Sequence, residues 1–228
     1  MNFMQLLQSL DDLLYEVMSW LVFFPVTLWK TVRHPQRMME YARLELRDPV
    51  ERQYEGALSP PLFLLLALLL SHALELGLGT GTNPIVASNR GLAAFVDTDT
   101  KLLALRLAIF SLVPMVLAVA VLVGSKRVLT HELLQGPFYA QCYPAAAFAL
   151  TIGIGGQFSH QHKPELALAG SALMALAMIC YFSVQIVWFK RHLDCGFIKA
   201  ASYTVTAMLS GFVGAILLAL LFSGTSMP

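Results

Sequence analysis

Five stretches of 18 to 24 predominantly apolar residues decide what this chain can become. They run about 61–78, 102–123, 139–156, 166–189 and 200–222. The hydrocarbon core of a bilayer is about 30 Å thick, and a helix rising about 1.5 Å per residue needs roughly 20 apolar residues to cross it. Each stretch therefore reads as a membrane crossing. Composition agrees: 57% of the 228 residues are hydrophobic, 13% are charged, and the mean hydropathy is +0.66. Soluble domains carry about 25% charged residues, so so much apolar surface has no single water-soluble core to hide in. An ordinary soluble enzyme and a disordered tail are excluded. The balance of 15 basic against 14 acidic residues leaves no field for nucleic acid. The expected fold is an all-α polytopic membrane protein in three parts. An amphipathic interfacial helix (1–30) leads to a charged cytoplasmic juxtamembrane segment (31–60) and a bundle of five transmembrane helices (61–223).

Basic residues orient the bundle. One side carries Lys30, Arg33, Arg37, Arg43, Arg47, Arg52, Lys126, Arg127, Lys190, Arg191 and Lys199. The other carries Arg90, Lys101 and Lys163. Eleven against three places the first side in the cytoplasm, with the N-terminus expected inside and the uncharged tail Ser223–Pro228 outside. No Lys or Arg precedes Lys30, so the positive start of a signal peptide is missing and none is expected.

Residues 1–30 are expected on or in the inner leaflet rather than across it. Phe3, Leu7, Leu10, Leu14, Val17 and Leu21 recur at helical spacing, while Gln5, Asp11, Asp12 and Glu16 interrupt the other face. Trp20 and Trp29 bound an apolar run at headgroup level, and Pro25 is expected to break it. A shallow re-entrant hairpin and a partner-docking helix are the rival readings. Downstream, Gln36–Arg47 can form a helix with Met38, Met39, Tyr41 and Ala42 on its apolar side. Asp48, Pro49 and Glu51 then read as a capping box opening another helix, with Arg47 and Glu51 spaced to pair.

Lipid tails are as apolar as leucine, so spans must be drawn together by close approach and interhelical hydrogen bonds. Small residues recur every four positions in the last three spans: Ala145, Ala149 and Gly153; Ala167, Ser171 and Ala175; Ala207, Gly211, Ala215 and Ala219. These rows predict that spans three to five pack on one another, or that the same faces build a homo-oligomer.

Ionisable groups inside a span are costly and mark candidate sites. His72 and Glu75 share one face of the first span, and Arg106 enters the second from the same outer side. They suit either a salt-bridged clamp between helices or a relay for protons or ions. A second polar cluster joins Gln141, Cys142, Tyr143 and Pro144 to Tyr181, Ser183 and Gln185, as helix anchors or as a headgroup cleft. The outer loop holds His160, His162 and Glu165, weak candidate metal ligands opposed by Lys163. Gly77, Gly79 and Gly81 mimic a dinucleotide fingerprint, but no strand precedes them. Cys142, Cys180 and Cys195 lack disulfide or zinc spacing. No linear catalytic motif occurs, so neither catalytic residues nor a cofactor are expected.

Leu58-Ser59-Pro60-Pro61-Leu62 opens the first span, and Gly136-Pro137-Phe138-Tyr139 precedes Cys142-Tyr143-Pro144. The basic turn Phe189-Lys190-Arg191-His192 leads to Gly196-Phe197-Ile198-Lys199-Ala200. With five spans and a charged cytoplasmic lead, this organisation resembles the Yip1-like integral membrane family, including bacterial relatives loosely labelled permeases, over roughly residues 45–223. The resemblance implies a membrane-organising or partner-binding role in a bacterial inner membrane, without catalytic residues. Its expected partners are the lipid bilayer and a protein, or a second copy, met through the N-terminal segment or the small-residue faces. A permease or channel component moving protons, ions, small solutes or lipids is the alternative.

Overall fold

The computed structural model describes residues 3–77, 99–161 and 163–223. Among them lie seven α-helices, one 3-10 turn and no strand. The helices are α1 (Phe3–Arg33), α2 (Pro35–Glu45), α3 (Pro60–Gly77), α4 (Asp99–Gly124), α5 (His131–Ser159), α6 (Pro164–His192) and α7 (Phe197–Ser223), with the 3-10 turn at Val50–Arg52. Helices α3 to α7 carry the five apolar stretches. Among the described residues, three of them are long and apolar enough to cross a membrane: α3, α6 and the Phe197–Leu218 part of α7. That is fewer than the five expected. In α4 the unbroken described stretch is Phe110–Gly124, and α5 is diluted by Gln141, Thr151, Gln157, two prolines and several glycines.

The outer surface is apolar. Leu69, Leu70 and Leu74 of α3, Leu168, Leu176 and Ile179 of α6, and Leu209, Val213 and Ile216 of α7 are all exposed. In water such contiguous apolar surface is a liability, whereas in lipid it costs nothing. This is an all-helical membrane protein.

Helix α5 is the axis. It packs on α3, α4 and α6, and near its start on α2. Helices α4, α5, α6 and α7 close a ring in which α7 returns to α4, and α3 lies outside it against α5. Glycines set the closest approaches, though not along the expected rows. Ala145 and Ala149 are buried, but the row ends at Gly153 against Ser71 of α3, not against the last two spans. Ser171 and Ala175 face outward. Helices α5 and α6 instead meet where Gly170 lies on Gly155, Phe158 and Ser159; a Cβ there would stand 2.5 Å from the Gly155 carbonyl oxygen. Gly211 does bury, against Val113 of α4, with 3.3 Å between an added Cβ and the Val113 Cα. The row of α7 thus serves the second span.

Two local expectations are corrected. Pro25 does not break α1 but sits inside a continuous helix, as Pro137 and Pro144 do in α5. Proline is tolerated in helices among packed neighbours, where the freed carbonyl can be satisfied locally. Asp48 caps nothing either. Pro49 is extended (φ −52°, ψ 142°) and the turn after it lasts three residues without a side-chain cap. Tyr54 takes a left-handed conformation (φ 62°), which ends any helix there. The Arg47–Glu51 spacing therefore has no continuous helix to act along.

Candidate functional site

The most constructed region is the basic end of the bundle, where the elbow 30–60 folds back under α5 and α6. Pro35 pre-sets the first turn of α2, and Met38, Met39 and Ala42 form its buried stripe. Met39 and Ala42 are fully inaccessible. Polar groups fix the register. The Gln36 amide nitrogen donates to the Val184 carbonyl at 2.7 Å.

Arg43 makes the second tie. Its Nη1 lies 2.6 Å from His192 Nε2 and 3.2 Å from Glu40 Oε2, and its guanidinium stands 5.9 Å from the centre of the Trp188 ring. His192 stacks on Trp188 with centroids 3.7 Å apart, and its Nδ1 is 3.0 Å from the Trp188 carbonyl. A carbonyl only accepts, so Nδ1 carries the proton; a guanidinium only donates, so Nε2 offers its lone pair. The imidazole is thus held neutral. Burial, with the Arg43 charge added, holds its pKa below the usual histidine value, against the opposing pull of the Trp188 carbonyl and Glu40.

A second knot ties the elbow to α1 and α5. The Thr27 hydroxyl accepts from the Leu58 N–H at 3.0 Å, the Leu58 carbonyl accepts from the Tyr143 hydroxyl at 2.8 Å, and Lys30 Nζ donates to the Gly56 carbonyl at 2.8 Å. Glu45 accepts from the Tyr54 N–H at 2.6 Å, and the Tyr54 hydroxyl reaches the Ala42 carbonyl at 3.1 Å. Burial and the Glu45 carboxylate push Tyr41 up to about 12; burial, first, pushes Tyr54 up as well. Both phenols stay protonated, and Tyr54 donates to Ala42.

Above this floor, the Gln185 amide donates to Gln141 Oε1 at 2.7 Å, and both side chains are fully buried. Tyr181 stacks on Phe148 at 4.6 Å, and Cys142 and Tyr143 are buried beside them. The expected polar cluster therefore assembles, except for Ser183, which is exposed and bonds its own Ile179 carbonyl. Its inward groups tie helices together.

At the opposite end, His72 is buried with Nδ1 3.8 Å from Glu75 Oε2, and neither ring nitrogen makes a hydrogen bond among the described residues. Arg106 lies in α4, but its side chain falls outside the described ones, as does the expected pairing with Glu75. His160 caps the end of α5 and Glu165 opens α6; His162 lies outside the described residues. Among those described, no three His, Cys, Asp or Glu side chains come together around a metal-sized space. The loop holding Gly79 and Gly81 is likewise outside.

The Arg43–His192–Trp188 tie and the Thr27–Leu58–Tyr143 knot were not legible in the sequence as sites. A threonine inside the apolar run 21–29, and a Trp four residues before a His at a helix end, were the only signals available. Comparison with protein-family models, curated proteins and solved structures finds no match.

Proposed function

We propose that this is a non-enzymatic integral membrane protein whose basic elbow is a rigid platform for a protein or lipid partner. The five helices α3 to α7 all cross the membrane, with the elbow in the cytoplasm of a bacterial cell and the end of α7 outside. The observation that carries this reading is the docking of α2. A juxtamembrane linker needs no buried methionines, no arginine–imidazole tie and no threonine locked to a backbone amide. Held in place, the elbow presents Arg37, Leu44, Arg47, Val50 and Arg52, all exposed. Val50 is 81% exposed and Leu44 47% among these charges, the mixed apolar and basic chemistry of a binding surface. The resemblance to the Yip1-like family points the same way.

The test is co-purification from native membranes. The triple substitution Arg37→Glu, Leu44→Ser, Val50→Ser leaves the docked face of α2 intact and is expected to lose a specific protein or anionic lipid that the parent retains. An unchanged set of partners would overturn the platform. The permease alternative rests on His72, Glu75 and Arg106; proton or ion flux into proteoliposomes that Glu75→Gln abolishes would favour it instead.

A further inference from the structure

Helix α1 climbs beside α3 in a fixed antiparallel register. Lys30 bonds Gly56, Thr27 bonds Leu58, and Phe24 meets Phe63 with centroids 5.2 Å apart. Further along, Val17 and Trp20 share a cleft of about 390 Å³ with Leu70 and Ala73. Every step toward the beginning of α1 is a step along α3 away from the basic side. A helix lying flat at the interface would meet only one level of α3.

The surface of α1 confirms that its surroundings are apolar. Its packed side carries Trp20, Phe24, Thr27 and Thr31; the opposite side carries Met18, Leu21, Val22, Val26 and Trp29, all exposed. An interfacial helix keeps a polar face for water. Over residues 17–29 this one has none: the run holds no charged residue. From Leu13 to Lys30 is 18 residues, the same as the 18 of α3, and both span about 27 Å at about 1.5 Å per residue. Charge agrees with direction. No Lys or Arg lies in residues 1–29, whereas Lys30, Arg33 and Arg37 follow within eight residues, and basic residues flank the cytoplasmic end of a crossing. Lys30 and Arg33 also sit in the last turn of α1, where the helix dipole favours cations.

We propose that α1 is a sixth membrane crossing, antiparallel to α3, so that residues before Leu13 lie on the side opposite the elbow, together with the end of α7. This departs from the interfacial helix expected from the heptad-like pattern of residues 3–21. Glu16 then sits near the level of His72 and Glu75, which places three ionisable groups toward one outer layer. The inference rests on the proposed crossing of α3 to α7.

Single cysteines decide it. Cys180 and Cys195 are replaced by serine, and Cys142, fully buried, is kept. Gln5→Cys, Glu55→Cys and Gln161→Cys are then labelled separately with a membrane-impermeant maleimide, in intact cells and after permeabilisation. The proposal expects Gln5→Cys and Gln161→Cys to label in intact cells and Glu55→Cys only after permeabilisation. If Gln5→Cys behaves like Glu55→Cys while Gln161→Cys labels outside, the sixth crossing is overturned and the bundle's orientation stands. If Glu55→Cys and Gln161→Cys label from one side, the bundle reading fails and the proposal falls with it. Gln8→Cys gives the same readout where Gln5→Cys does not accumulate.

Discussion

At the residue scale, single groups with no slack around them hold this protein together. Gly170 has backbone of α5 against it, with a prospective Cβ 2.5 Å from both the Gly155 oxygen and the Ser159 nitrogen. Backbone cannot move aside as a flexible side chain can. Gly170→Val is therefore expected to cost about 1–3 kcal/mol or more, the range of overpacking in a tight core. The lipid-facing Ala175→Val on the same helix is expected to be neutral. Thermal unfolding in detergent compares them; equal midpoints would contradict the packing described. His192 supplies a pH dependence of known sign. Its folded pKa lies below the ordinary value of 6.5, so the docked state prefers the neutral ring, and its contribution is complete above pH 6.5. As pH falls below that value the undocked state takes the proton first, and stability is lost progressively down through the folded pKa. Arg43 and Glu40 face the ring from α2, and Arg43 opposes the new charge. The thermal midpoint of the parent is expected to drop below pH 6.5 more steeply than that of His192→Gln; parallel curves would remove His192 from the account.

At the scale of elements, α2 stands on its buried stripe. Met39→Ala removes a fully inaccessible side chain, and large-to-small changes of this kind cost about 2–5 kcal/mol. The expected result is release of α2 alone, seen as faster amide exchange over 35–45 while α5 and α6 stay protected; unchanged exchange would mean the stripe does not hold it. This helix was readable in advance, because Met38, Met39 and Ala42 fall on one face between Pro35 and the elbow. The five apolar helices were readable from the length of their apolar stretches, and the largest miss at an end has a cap behind it: Thr130 accepts the Leu133 N–H at 3.3 Å and starts α5 eight residues before the apolar stretch. What the sequence hid is partner choice. Small residues mark where helices can approach, but Ser171 and Ala175 of that row face outward while Gly170, one residue from Ser171, makes the contact. Pro25 misled in the opposite direction: its missing N–H and ring cost α1 one hydrogen bond but not its continuity. Among the polar candidates, Gln141 and Gln185 meet because both lie at one level of neighbouring helices, which spacing along one chain does not reveal.

At the scale of the whole molecule, a floor of polar ties at the basic end and glycine contacts within the bundle lie beneath the elbow. Hydrogen bonds between membrane helices average about 0.6 kcal/mol, so Gln185→Leu alone is expected to lower the thermal midpoint only slightly and leave partner retention intact. Loss of partners by that variant would mean that the buried amides, not the exposed elbow, are the working part. The platform itself is tested most directly by a photo-activated crosslinker placed at Val50 in native membranes, against the same group at Gln161 on the far side of the bundle. A discrete protein or lipid adduct is expected at Val50 that Gln161 does not form. Identical adducts at both positions, or none at Val50, would contradict the platform.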